Sequence, residues 1–267
     1  MAEIDPTSDE PSRQDAVTGP GDSPLADGRL AVTGAGRSHR GLVRAVNEDA
    51  ILTDPTGVLW AVADGMGGHG HGDLAADLVI DALAHLPHAE VDRGLLLGGL
   101  AAGHDAVRRR ALSDGLGDIG ATVVALMVED ARALIGWAGD SRAYLLRAGA
   151  LTPLTRDHSV VQELVDHAGL SADAAEHHPE AHVVTRAIGV GDAAVPEFTE
   201  LTVAAGDVLL LCSDGLTRCV PEPEIAACLA EAPEPEAAAA ALIAAALGQG
   251  APDNVSAIVL HVVRAGA

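Results

Sequence analysis

Five stretches of the chain are apolar over the length of a strand and are bounded by glycine or an acidic residue: Val58 to Ala63, Ala121 to Val128, Ala133 to Ala138, Val208 to Cys212 and Val255 to Val263. Rich in Val, Leu and Ile, they read as buried strands. Helical spacing begins at Asp73, placed as an N-cap. After it Leu74, Leu78, Val79, Ala82, Leu83 and Leu86 fall on one face, and Asp77 and Asp81 on the opposite, solvated face. Further helices are expected over about Arg93 to Leu112, Pro223 to Ala230 and Pro235 to Leu247. Strands in adjacent groups separated by helix pairs favour an α+β or layered sandwich over an alternating parallel fold. Between Thr155 and Val195 the chain is polar and weakly periodic, as an inserted surface segment would be. Its histidines, His158, His167, His177, His178 and His182, are scattered and read as solvated polar residues.

Composition narrows the chemistry. A chain of 267 residues supports one large domain. Its 39 acidic residues face 16 basic ones, all arginine, for a net charge of −23, which argues against nucleic-acid or anionic-membrane binding. Residues 1–28 are rich in Asp, Glu, Pro, Ser and Gly and are expected to form a disordered acidic tail on a domain spanning 29–267. They lack the layout of a signal peptide, and no apolar run approaches the ~20 residues that span a bilayer. Cys212, Cys219 and Cys228 are too irregular for a disulfide framework or a zinc site. A soluble, monomeric, cytoplasmic protein is the expectation.

Several of the strand-like runs meet an aspartate in a glycine-containing turn. Val58 to Ala63 enters Asp64-Gly65-Met66-Gly67-Gly68, Ala133 to Ala138 enters Gly139-Asp140-Ser141-Arg142, and Val208 to Cys212 enters Ser213-Asp214-Gly215; Pro252-Asp253-Asn254 precedes the last run. Carboxylates at strand ends are held more rigidly than those on free loops, and glycine lets backbone carbonyls approach a ligand. Such an oxygen-only set suits Mg²⁺ or Mn²⁺.

Together with Arg44-Ala45-Val46-Asn47-Glu48-Asp49, Arg156-Asp157-His158-Ser159 and Thr185-Arg186-Ala187-Ile188-Gly189, these motifs resemble, in order and wording, the type-2C metal-dependent protein phosphatases, above all the compact bacterial members. The resemblance covers about Thr33 to Val263. It implies a four-layer α/β/β/α sandwich with two central antiparallel sheets, and hydrolysis of phosphoserine or phosphothreonine by a water activated between two Mn²⁺ or Mg²⁺ ions. Carried over by motif, Asp64 bridges both ions, the Gly65 carbonyl joins it, Asp214 and Asp253 complete one ion, and Glu48 reaches the other through water. Asp49 supports them, and Arg44 grips the substrate phosphate. The implied partners are phosphorylated proteins, namely Ser/Thr kinases and their substrates. The 155–195 segment corresponds to a flap beside the active site that influences substrate choice. Two departures stand out. Met66 occupies the place of a histidine that acts as proton donor in eukaryotic members. Arg218 occupies the place of an acidic residue that, with the counterpart of Asp140, holds a third cation; a guanidinium cannot ligate one.

Three rival readings fit the residues less well. His69-Gly70-His71-Gly72-Asp73 spells part of a zinc-hydrolase signature, but Leu74 stands where another histidine is needed; His69 reads as structural and His71 as exposed. A catalytically inactive, phosphoprotein-binding module of the same fold would be expected to have lost Asp64, Asp214 or Asp253. Cys212 lacks the basic phosphate loop of a cysteine phosphatase and reads as a buried strand residue.

Overall fold

The computed structural model describes residues 29–54, 57–67, 70–87, 91–171, 174–175 and 178–265. The expected acidic tail lies outside them. In chain order the elements are β1 (Leu30–His39), β2 (Asp49–Thr53), β3 (Leu59–Gly67), α1 (Gly72–Ala84), α2 (Arg93–Asp114), β4 (Ile119–Glu129), β5 (Arg132–Ala138), β6 (Arg142–Arg147), β7 (Ala150–Pro153), α3 (Val160–Ala168), β8 (Glu197–Thr202), β9 (Val208–Cys212), α4 (Asp214–Thr217), α5 (Glu222–Glu231), α6 (Pro235–Gly248) and β10 (Val255–Arg264). They form two five-stranded sheets, ordered β1-β10-β9-β6-β7 and β2-β3-β4-β5-β8. Every pairing within them is antiparallel.

The apolar runs are unbroken because the central strands are covered on both faces. Along β4, Val123, Ala125 and Met127 point to a core shared with α1 and α2. The alternate residues Val124, Leu126 and Val128 point to the other sheet, where they meet Leu209, Leu211, Ile258 and Leu260. β10 does the same on the far side, with Val255, Ala257 and Val259 packed against α5 and α6. Three cores between four layers give the α/β/β/α sandwich that the resemblance implied. At about 1.5–3 kcal/mol for each large apolar side chain buried, these cores dominate stability.

Several boundaries move. β3 does not stop at Ala63 but runs through Asp64 to Gly67, because β4 continues to pair with it as far as Ile119. Helix α1 is capped by His71 rather than Asp73, whose carboxylate turns back to the Leu74 N–H at 2.7 Å. His71 is half-buried and not exposed. Asp77 and Asp81 are exposed as expected. β1, β2 and β6 to β8 were not anticipated. β1, β2 and β8 are largely half-buried and β7 mostly exposed, so their patterns lack a long apolar run; β6 is buried over only four residues. The 155–195 segment contains α3, and His158 within it is buried, 6% exposed, contrary to the solvated reading. No helix among the described residues is long and apolar enough to cross a membrane.

Candidate active site

The site forms where strand ends of both sheets meet. β2 and β3 pair in a register that sets Asp49 directly opposite Asp64. Asp49 then reaches across to the other sheet: its Oδ2 accepts from Ser213 Oγ at 2.8 Å and Ser256 Oγ at 2.6 Å. Ser213 follows β9 and leads into Asp214 at the start of α4. The β5–β6 turn brings Asp140, and the segment before β10 brings Asp253.

The β1–β2 loop carries Arg44 and Glu48 and is fixed by Asn254. The Asn254 amide donates to the carbonyls of Arg40 and Val46, while its oxygen accepts from the Glu48 N–H at 2.8 Å. The Glu48 carboxylate takes the first N–H of α1, that of Gly72, at 3.1 Å, and its backbone carbonyl accepts from Gly65 N–H at 3.0 Å. Here only glycine fits, since a Cβ on Gly65 would lie 2.0 Å from the Gly72 carbonyl oxygen. The glycine after Asp64 is thus a requirement of close backbone approach between β3, the loop and α1.

Electrostatically the cluster is a set of carboxylates short of positive charge. Burial pushes Asp49 up to about 7, with the two serine hydroxyls opposing it. Asp140 is also pushed up to about 7, by burial and then by Asp214 and Asp157, against the pull of Arg218. Asp64 stands well above the ordinary carboxylate range through burial and the charge of Asp49. Asp214 is raised by burial, with Arg218 opposing. Asp49 Oδ1 and Asp214 Oδ1 are buried with no hydrogen-bond partner. Two arginines supply the compensating charge. Arg44 Nη2 donates to Asp253 Oδ2 at 2.8 Å. Arg218 Nη2 lies 2.6 Å from Asp214 Oδ2 and 3.4 Å from Asp140 Oδ2.

Arg44, Glu48, Asp64, Gly65, Asp140, Asp214 and Asp253 are thus gathered at one end of the sandwich. Among the described residues, no three His, Cys, Asp or Glu side chains are already assembled as a metal-binding set. Asn254, Ser213 and Ser256 were not singled out from the sequence. A usable signal was present for Ser256, a hydroxyl inside an otherwise apolar strand. Met66 lies on β3, His69 falls outside the described residues, and buried Cys212 has its thiol pushed up to about 12 by desolvation. An apolar cavity of about 250 Å³ under Leu52, Leu59, Leu83 and Met127 includes none of the site residues.

Two facing antiparallel sheets flanked by helices, with a buried carboxylate cluster at their ends, define a metallophosphatase-type α+β sandwich. Residues 33–247 match the Protein phosphatase 2C family, and the chain belongs to it. It is 41% identical over 238 residues to the serine/threonine protein phosphatase PstP of Mycobacterium tuberculosis, covering 88% of this chain and 46% of that protein. The chain therefore spans about half the length of that relative. It is 33% identical over 237 residues to the serine/threonine phosphatase Stp of Listeria monocytogenes, covering 84% of this chain and 94% of that one. A crystal structure of the PstP catalytic domain with two manganese ions superposes with a TM-score of 0.80 at 40% identity, covering 88% of this chain and 99% of that one.

Proposed function

We propose that this chain is a metal-dependent protein phosphatase that hydrolyses phosphoserine and phosphothreonine, with two Mn²⁺ or Mg²⁺ ions held by Asp64, the Gly65 carbonyl, Asp214 and Asp253, and by Glu48 through water. The observation that carries this reading is the buried carboxylate cluster, with its raised proton affinity and the orphaned oxygen of Asp214. Divalent cations would relieve both conditions, and oxygen donors alone select hard cations over zinc. When bound, the pair of ions supplies an activated water and offsets charge on the phosphoryl oxygens.

The protein's own side chains divide the remaining work. Arg44, half-exposed beside Asp253, presents a planar fork that matches two phosphate oxygens and orients the phosphoryl group. Asp49, tied to Ser213 and Ser256, locks β2 to the opposite sheet and so fixes the backbone that presents Asp64. Met66 offers no proton, so the departing Ser or Thr oxygen takes one from water. The residues do not fit a third cation, because the Arg218 guanidinium pairs with both Asp140 and Asp214.

The relatives named serine/threonine phosphatases support phosphorylated proteins as substrates; in this reading they are Ser/Thr kinases and their targets, met by a monomer in the cytoplasm. The phosphatase domain in this reading spans 29–267, with 155–195 as its flap. The test is hydrolysis of a phosphothreonine peptide, expected to need millimolar Mn²⁺ or Mg²⁺ and to vanish with chelator. Robust turnover in metal-free buffer overturns the assignment.

A further inference from the structure

His158 stands at the root of the 155–195 segment and touches both the site and the segment's return. Its N–H donates to the Gly139 carbonyl at 2.9 Å, and its Nδ1 accepts the Gly139 N–H at 3.2 Å. Its own carbonyl accepts from Thr185 N–H at 2.8 Å, on the far side of the segment. Val160 N–H donates to Val183 at 2.9 Å, and Ser159 bridges Val184, closing the segment on itself next to His158. The imidazole stacks on Trp137 with centroids 5.9 Å apart. On either side the same stretch is pinned: Trp137 Nε1 donates to the Arg156 carbonyl at 2.8 Å, and Arg142 forks onto Asp157 through two bonds of 2.8 Å.

Gly139 leaves its turn little freedom. At φ 115°, with Thr122 Cβ 2.4 Å from where its own Cβ would be, it holds a backbone shape open only to glycine, and Asp140 follows directly. The other ring nitrogen, Nε2, lies 3.2 Å from Arg186 Nη1 and 3.4 Å from Glu197 Oε1, and Arg186 itself donates to that carboxylate at 2.7 Å. An apolar ring at this position would leave the Gly139 N–H without a partner.

We infer that His158 is a positioning residue whose imidazole and backbone together set the Asp140 turn and the flap, so that neither moves without the other. The activity arm of the test rests on the phosphatase reading; the exchange arm does not. His158→Phe keeps the stack on Trp137 and removes the acceptor, and His158→Asn restores an acceptor at the Nδ1 position without the ring. Amide hydrogen exchange on the metal-free full chain is expected to rise at least tenfold in H158F at both Gly139–Ser141 and Val183–Thr185, and to return toward wild type in H158N. With Mn²⁺, kcat/KM of H158F for a phosphothreonine peptide is expected to fall at least tenfold more than for p-nitrophenyl phosphate, mainly through KM. A rise confined to one segment, or equal losses on both substrates in H158F and H158N, overturns the coupling. If wild type hydrolyses neither substrate, the phosphatase reading fails while the exchange result still decides the role of His158. Should H158F not fold, Thr185→Pro deletes the bond from the flap side; faster exchange at Gly139–Ser141 supports the proposal, and unchanged exchange there overturns it.

Discussion

Removing the charge of Arg218 while keeping its aliphatic stem, as in Arg218→Met, separates an internal counter-cation from an ordinary surface arginine. The guanidinium lies 2.6 Å from Asp214 and 3.4 Å from Asp140, with its side chain 30% exposed against 12% and 8% for the carboxylates. Breaking a buried pair costs about 3–5 kcal/mol, whereas exposed pairs contribute about 0–1 kcal/mol. With the cation nearly a third in solvent and the carboxyls free to take up protons, the loss should be about 2 kcal/mol, between those limits. In a domain of this size that lowers Tm by roughly 4–8 °C. The assay is thermal unfolding at pH 7.5 in chelator and in millimolar Mn²⁺, with a count of bound metal. Chelator should expose the full loss. Mn²⁺ should close the gap, because an additional cation that only the variant binds, held at a hundred times its Kd, contributes about 2.7 kcal/mol to its folded state. The variant should also bind an additional ion or reach full activity at lower Mn²⁺. An equal loss of Tm with and without Mn²⁺, together with an unchanged metal count, would refute the reasoning.

Asp64→Asn and Asp253→Asn should each reduce turnover below about one hundredth of wild type while circular dichroism is retained, since the ligating charge is lost without a change in volume; near-full activity of D64N would rule out the proposed metal set. Arg44→Ala should raise KM for phosphopeptide more than it lowers kcat, with little effect on Tm because its pair with Asp253 is half-exposed; a pure kcat loss would place Arg44 elsewhere in the reaction. In chelator, stability should fall as pH rises from about 5 to 7. Asp49 and Asp140 hold their protons up to about 7 when folded and release them near 4 when unfolded, so the folded state binds more protons throughout that window. Chemical denaturation across pH 5 to 8 checks this: a loss of about 1.4 kcal/mol per carboxyl per pH unit is the upper limit, saturating Mn²⁺ should abolish it, and a rising curve in chelator would contradict the raised values.

The apolar runs announced β3, β4, β5, β9 and β10 because these strands are covered on both faces, a condition that leaves its mark in composition alone. The aspartates at their ends were legible for a related reason: a carboxylate beside glycine in an apolar context is conspicuous in one dimension. What one dimension does not carry is register and cross-sheet distance. That Asp49 faces Asp64 follows from the pairing of β2 with β3, and its bonds to Ser213 and Ser256, 164 and 207 residues away, exist only because the two sheets stack. The strands left unread were too short or too exposed to show a core-facing pattern. Histidines in a polar stretch looked alike until the fold buried His158 against Trp137 and Gly139. Arg218 was marked in the sequence as out of place, but its pairing with both Asp140 and Asp214 was decided by the tertiary structure, which sets the β5–β6 turn against the start of α4. Burial and partner choice depend on what packs around a residue, and hydrophobic pattern reports that only where packing is two-sided and continuous.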